Sequence, residues 1–219
     1  MSIQTAHVVQ LPAPCLSLSY LQYLPPEYEE SDQKFPLVIF LHGSGERGDD
    51  LNLVKIHGWP RYVDEGKNYP FILISPQLPL GKNWCGQITS LEGLLNHLTT
   101  TLRVDPSRIY LTGLSNGGTG TWLWASSSNN NPFAAIIPVC GAGVAWLSCE
   151  LLKTPVWAFH GDLDSAIEYT ESVRMVERIN TWGGNAKITI YPGVGHNCWE
   201  NAYTDDQLIE WMLAQRKEQ

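Results

Sequence analysis

The sequence predicts an α/β fold, a mostly parallel sheet with helices on both faces, and three observations predict it. Short continuous apolar runs recur along the chain, as expected for strands covered on both sides, and segments with apolar residues at helical spacing lie between them. Residues 108–121 read RIYLTGLSNGGTGT, so that Ile109, Tyr110 and Leu111 run into Gly113-Leu114-Ser115-Asn116-Gly117 and then into a segment able to open a helix. Further on, acidic residues and a histidine follow the ends of later strands.

The elements can be taken in order. Residues 15–24 alternate, with Leu16, Leu18 and Tyr20 set against Ser17 and Ser19, which suits an antiparallel edge strand. Pro25 and Pro26 end it, and EYEESDQK is a surface turn. Buried strands are expected at residues 36–41, 71–74, 109–111, 134–139, 156–159 and 188–191. Leu91, Leu94, Leu95, Leu98 and Leu102 share one helical face, with Ser90 a candidate cap. Val173, Val176 and Ile179 form a second face that stops at Gly183-Gly184, and Leu208, Ile209, Met212 and Leu213 mark a C-terminal helix. The polar run SSSNNN at residues 126–131 is expected to be a loop. The sequence has no internal repeat, linker or low-complexity tract, so residues 1–219 are expected to form one domain.

Composition narrows the function classes. Hydrophobic residues make up 43% and charged residues 16%, a globular balance. A net charge of -8, with no local lysine or arginine cluster, argues against nucleic acid as a partner. Residues 1–22 lack a basic start followed by an apolar run, and no stretch reaches the roughly 18 apolar residues of a membrane span; a cytoplasmic protein is expected. Cys15, Cys85, Cys140, Cys149 and Cys198 show no metal-type pairing and read as scattered reduced thiols, with a disulfide between two of them as the alternative.

The G-x-S-x-G pentapeptide between strand and helix has the form of a nucleophile elbow. Such a turn holds its serine in a strained conformation and excludes neighbouring side chains, which asks for glycine at 113 and 117. It also places the Asn116 amide at a helix N-terminus, where it can bind a developing oxyanion. A hydroxyl nucleophile needs a base, and only His160 and His196 follow Ser115. Before His160 the sole carboxylate after Ser115 is Glu150, whereas His196, on the loop GVGHN past the last strand, is preceded by Asp162 and Asp164 just beyond a strand end. Either aspartate could orient the imidazole, and either could instead cap the following helix. For the second oxyanion donor, the loop HGSGERG follows the first buried strand, and the Ser44 N–H is the candidate. No G-K-[ST] accompanies these glycines, which argues against a phosphate loop. His42 and His160 read as packed, hydrogen-bonded histidines rather than metal ligands, and Glu46, Arg47, Asp49 and Asp50 as a solvated or salt-bridged loop.

HGSGERG, GLSNGG, AFHGDLD and YPGVGHNCW, in this order, resemble the α/β-hydrolases of the phospholipase/carboxylesterase and dienelactone-hydrolase-like group, from about Phe35 to the C-terminus. That resemblance implies an esterase with a Ser-Asp-His triad and no cofactor. Its acid motif, similar to H-G-x-x-D-x-x-V-P, aligns Asp164 with the acid, although Ile167 and Glu168 stand where the group has Val-Pro. It also agrees with Ser44, the residue after the first His-Gly, as an oxyanion donor. The expected function is cleavage of small carboxylic esters through an acyl-enzyme by Ser115, Asp164 and His196; a serine peptidase would use the same residues, and a non-catalytic binding protein would keep the fold without the geometry. Trp59, Trp84 and Trp199 lie on loops and are expected to supply aromatic surface for a partly apolar groove, unless they pack the core.

Overall fold

The computed structural model describes residues 3–127 and 131–217. Eight strands form one sheet: β1 (Gln4–Val9), β2 (Leu18–Tyr23), β3 (Phe35–Leu41), β4 (Ile72–Gln77), β5 (Val104–Leu114), β6 (Ala135–Val139), β7 (Val156–Gly161) and β8 (Ala186–Tyr191). Their spatial order is β1-β2-β4-β3-β5-β6-β7-β8. The β1–β2 and β2–β4 pairs are antiparallel, and every later pair is parallel. Six helices cover it: α1 (Gly58–Asp64), α2 (Ile88–Thr101), α3 (Asn116–Ser127), α4 (Thr170–Thr181), α5 (Trp199–Tyr203) and α6 (Asp206–Ala214).

Successive side chains of a strand point to opposite faces, and in β3 both faces are apolar and buried, so the strand feeds two cores. Leu37, Ile39 and Leu41 of β3 join Leu91, Leu94 and Leu98 of α2, Trp122 of α3 and Ile179 of α4. Val38 and Phe40 join Trp59 and Val63 of α1, Ala202 and Tyr203 of α5, and Leu208 and Met212 of α6. The alternation explains why PLVIFL is apolar throughout. Sheet and helices on both faces are therefore as the apolar runs predict.

Several expectations need correction. The strand expected over residues 15–24 is β2, antiparallel but not at the edge, because β1 lies outside it with His7 stacked on Tyr20 at 5.4 Å. β1 reads QTAHVV, with half of its side chains exposed and only Gln4 and Val9 buried, so it carries no apolar run to reveal it. Ser90 is not the α2 cap: it lies within the helix, buried, and its hydroxyl accepts the Leu16 N–H at 2.8 Å. α1 was hidden by Gly58 and Pro60 within its first turn, a position where proline is tolerated, and α5 is too short to show a period. Of the expected SSSNNN loop, Ser126 and Ser127 belong to α3, and residues 128–130 lie outside the described residues. Among the described residues no helix is long and apolar enough to cross a membrane.

Trp59 shows why the second core matters. It is fully buried, with its ring 5.4 Å from Phe71 and 5.3 Å from Tyr203. Trp59→Ala should cost about 3–5 kcal/mol in urea unfolding, because the cavity cannot close between sheet and helices. Trp182→Ala, at a 40%-exposed position, should cost less than about 1 kcal/mol; comparable losses at the two sites would contradict this account of the core.

Candidate active site

The site is built where β5 meets α3. Ser115 stands between them at φ 53°, one of two non-glycine residues with positive φ among the described residues. An L-residue held there is strained, so its surroundings must fix it. They do so on both sides: the Ser115 N–H donates to the Val139 carbonyl at 3.0 Å, and the Ser115 carbonyl accepts from the Thr119 N–H at 2.9 Å. The flanking glycines are required by close approach. A Cβ on Gly117 would overlap the Leu41 carbonyl, and one on Gly113 would stand 2.5 Å from the Gly117 oxygen. The second positive-φ residue, Cys140 at 41°, follows β6 directly beside this turn, and burial pushes its thiol pKa well up.

The loop after β3 reaches the same point. A Cβ on Gly43 would lie 3.6 Å from the Ser115 Cβ, so the backbone at 43–44 borders the serine and Ser44 follows it into the open. The loop is held from behind. The fully buried His42 ring donates from Nδ1 to the Gly43 carbonyl at 2.6 Å and accepts the Leu78 N–H at Nε2, 3.0 Å away. The Trp84 indole donates to the His42 carbonyl at 2.8 Å, Gln77 to that of Glu46 at 2.9 Å, and Arg47 Nε to that of Ser44 at 2.8 Å. His42 is thus packed and doubly hydrogen-bonded as a neutral ring. Burial is the main reason that its pKa falls to about 4, against an opposing contribution from the Gly43 carbonyl.

Ser115, His196 and Asp164 lie in one hydrogen-bonded line. His196 Nε2 is 2.8 Å from Ser115 Oγ, and His196 Nδ1 is 2.7 Å from Asp164 Oδ2. A carboxylate can only accept, so Nδ1 carries the proton and Nε2 is left as the acceptor for the serine hydroxyl. Asp164 is buried, with its Oδ1 accepting the N–H groups of Ala166 and Ile167 at 2.9 Å each, while Oδ2 also faces His160 Nε2 at 3.1 Å. Burial acts to raise its pKa, but the hydrogen bonds from His196, Ile167 and Ala166 outweigh it and hold the carboxyl below the ordinary range. Asp164 therefore also caps the turn after β7. Asp162 is not in the line; its Oδ1 accepts the Gly193 N–H at 2.7 Å and braces the loop that carries His196.

Of the three tryptophans expected near the site, Trp59 and Trp84 are core residues with no exposure. Trp199 is the one beside it, its ring 5.5 Å from His196 and edge-on. The sequence offers no signal for Leu163, 65% exposed on the turn after β7, whose N–H donates to the Val194 carbonyl of the loop that carries His196. Glu46, expected in a solvated or salt-bridged loop, takes the second of these forms. Glu46 is buried, 3.8 Å from His57, whose ring leans on Trp199 at 5.2 Å. Among the described residues, the grouping of metal-type ligands is Cys140, Asp164 and His196, within 4.8 Å of one another. A cation there would have to displace the His196–Asp164 proton and ionise a buried thiol.

Comparison with known proteins places these features in a family context. The profile of the dienelactone hydrolase family matches residues 81–207, more than half of the chain. Acyl-protein thioesterase 1 of Neurospora crassa is 26% identical over 82% of this chain and 86% of its own length. Poly(3-hydroxyalkanoate) depolymerase C of Paucimonas lemoignei is 26% identical over 72% of this chain but only 42% of its own length. The crystal structure of a thermostable esterase superposes with a TM-score of 0.88 at 27% identity, covering 98% of this chain, which spans 64% of that longer chain.

His42 gives this region a measurable pH signature. In the unfolded chain its imidazole takes a proton near the ordinary pKa of 6.5, whereas in the folded protein it resists protonation until about 4. Between those values the unfolded state binds more protons, so stability is lost as pH falls, by on the order of 3 kcal/mol in all from this residue. Above pH 6.5 the effect is absent. An NMR titration of the His42 ring should show a midpoint near 4; one near 6.5 would mean that the loop behind Gly43 is open to solvent.

Proposed function

The chain belongs to the dienelactone hydrolase family, and from that premise we propose that it is a serine esterase acting on small carboxylic esters through an acyl-enzyme. The observation that carries the proposal is the Ser115–His196–Asp164 line, with both hydrogen bonds under 2.9 Å and the proton order forced by the carboxylate. In this reading His196 Nε2 takes the hydroxyl proton as Ser115 Oγ attacks the ester carbonyl. Asp164 stabilises the imidazolium that forms. The N–H groups of Ser44 and Asn116 bind the tetrahedral oxyanion, and the Gly43 contact with Ser115 together with the braced loop supports preorganisation of the first of them. The imidazolium protonates the departing alkoxide, leaving an acyl ester on Ser115. Water, deprotonated by His196, then attacks that ester, and the imidazolium returns the proton to Ser115 Oγ as the acid is released. No step calls for a metal or cofactor. One continuous sheet with its flanking helices supports reading residues 1–219 as a single catalytic domain.

The relatives are a thioesterase, a depolymerase and an esterase, and so favour acyl transfer from oxygen or sulfur. The exposed Leu163, whose N–H holds the His196 loop at Val194, and Trp199 against His196 offer apolar surface for a short acyl or aryl group.

Ser115→Ala should lower kcat by several orders of magnitude, leaving only the contribution of oxyanion and binding contacts. A fluorophosphonate that labels another serine and spares Ser115 would refute the assignment. Asp164→Asn should cost far more than Asp162→Asn: at 164 the amide favours the wrong imidazole tautomer, whereas at 162 its oxygen can still accept the Gly193 N–H. Steady-state rates that rank the two the other way would move the acid to Asp162. Finally, kcat/KM for a short-acyl aryl ester should exceed that for a matched peptide amide, since an alkoxide leaves more readily than an amine. Equal or higher efficiency on the amide would make the protein a peptidase.

A further inference from the structure

We propose that His160 is a positioning residue for this reaction, donating its Nε2–H to Asp164 so that the carboxylate stays aimed at His196 and only part of its charge is spent there. The inference rests on the triad reading given above and adds a fourth side chain behind it.

His160 lies in β7 with no solvent exposure. Its Nε2 is 3.1 Å from Asp164 Oδ2 and 3.0 Å from the Ile167 carbonyl oxygen. Both neighbours are acceptors, so this nitrogen must carry a proton. Nδ1 is 2.8 Å from the Ser172 hydroxyl of α4, which is also 3.1 Å from the Gly141 carbonyl. The hydroxyl has one proton to give. It goes to Nδ1 when the ring is neutral, and could go to Gly141 only if the ring were a cation. Burial lowers the pKa of His160 and outweighs the raising effects of the Ile167 carbonyl and Asp164, which selects the neutral ring. The tautomer is therefore set from outside, by a serine on one side and by a carboxylate and a carbonyl on the other.

The consequence falls on Asp164. Its two oxygens have four N–H neighbours, those of Ala166 and Ile167 at Oδ1 and those of His196 and His160 at Oδ2. That is about what a carboxylate can accept. Without His160, Oδ2 would face His196 alone in a buried setting. The ion pair formed when His196 gains its proton would then be stronger, and the base would hold that proton to higher pH. The carboxylate would also be free to swing about its Oδ1 anchors. The other groups facing this cluster are the Ser115 and Ser172 hydroxyls and the Cys140 thiol, with Cys198 behind it; burial keeps the Cys140 thiol protonated. His57 and Glu46 stand beyond Trp199 and are common to all the variants compared, so a shift of the acid limb of kcat/KM between variants reports the base.

The test compares pH profiles of kcat/KM on a short-acyl p-nitrophenyl ester for the wild type, His160→Leu and His160→Gln. The Leu variant should lose roughly 10-fold on the plateau, and its acid limb should move up by about half a pH unit or more. Gln can place an amide N–H where Nε2 stands, and should return the limb to about the wild-type position. A folded Leu variant with its limb unmoved, or a Gln variant shifted as far as Leu, would overturn the proposal. Should the Leu variant not fold, 15N-histidine NMR of the wild type decides: a neutral His160 ring protonated at Nε2 supports the proposal, and one protonated at Nδ1 alone overturns it. Ser115→Ala is assayed alongside, because a rate within about 10-fold of the wild type in that variant refutes the triad reading by itself, separately from any result at His160.

Discussion

A carboxylate taken out of water has to find partners, and the carboxylate of Asp164 finds them in three segments of chain: its own turn, the strand before it and the loop after β8. Burial without those donors would cost several kcal/mol or neutralise the group. With them the charge is retained and the segments are tied together. The loop carrying His196 is fixed at that carboxylate, through Gly193 on Asp162, and through the Leu163 N–H on the Val194 carbonyl. The position of the imidazole over Ser115 is thus an outcome of satisfying one buried charge.

The opposite wall is made by different means. At the elbow, backbone packs on backbone, with Gly117 against the Leu41 carbonyl and Gly118 against that of Val139. The loop from His42 to Arg47 is fixed by neutral hydrogen bonds from Leu78, Trp84 and Gln77. Both walls are thus fixed by contacts within the protein, and on the proposed reading that suits a site where negative charge develops at the serine and positive charge at the histidine.

Much of this was legible in the sequence because the signals were local. Buried parallel strands show as apolar runs, and an elbow shows as glycines at fixed offsets from a serine. Asp164 could not be separated from Asp162 on the residues alone, since both follow β7; the difference lies in which carboxylate faces inward, and the family spacing supplied it. β1 was missed because it is paired on one side and half of its side chains are exposed. Trp59 and Trp84 were misread because loop position says nothing of which way an indole points. His160 was legible as a packed histidine, but its contact with Asp164 depends on the turn after β7 folding back, which no short pattern encodes.

Asp164 and Ser115 differ in what the fold asks of them. Asp164 closes its turn through two backbone amides, so its loss removes a structural tie together with its bond to His196. Ser115 is the reverse: at φ 53° a glycine would sit more comfortably, and the side chain stands against the conformational preference of the backbone. Selection for protein abundance alone would hold the aspartate in place and let the serine drift to glycine. Only selection on turnover would preserve both.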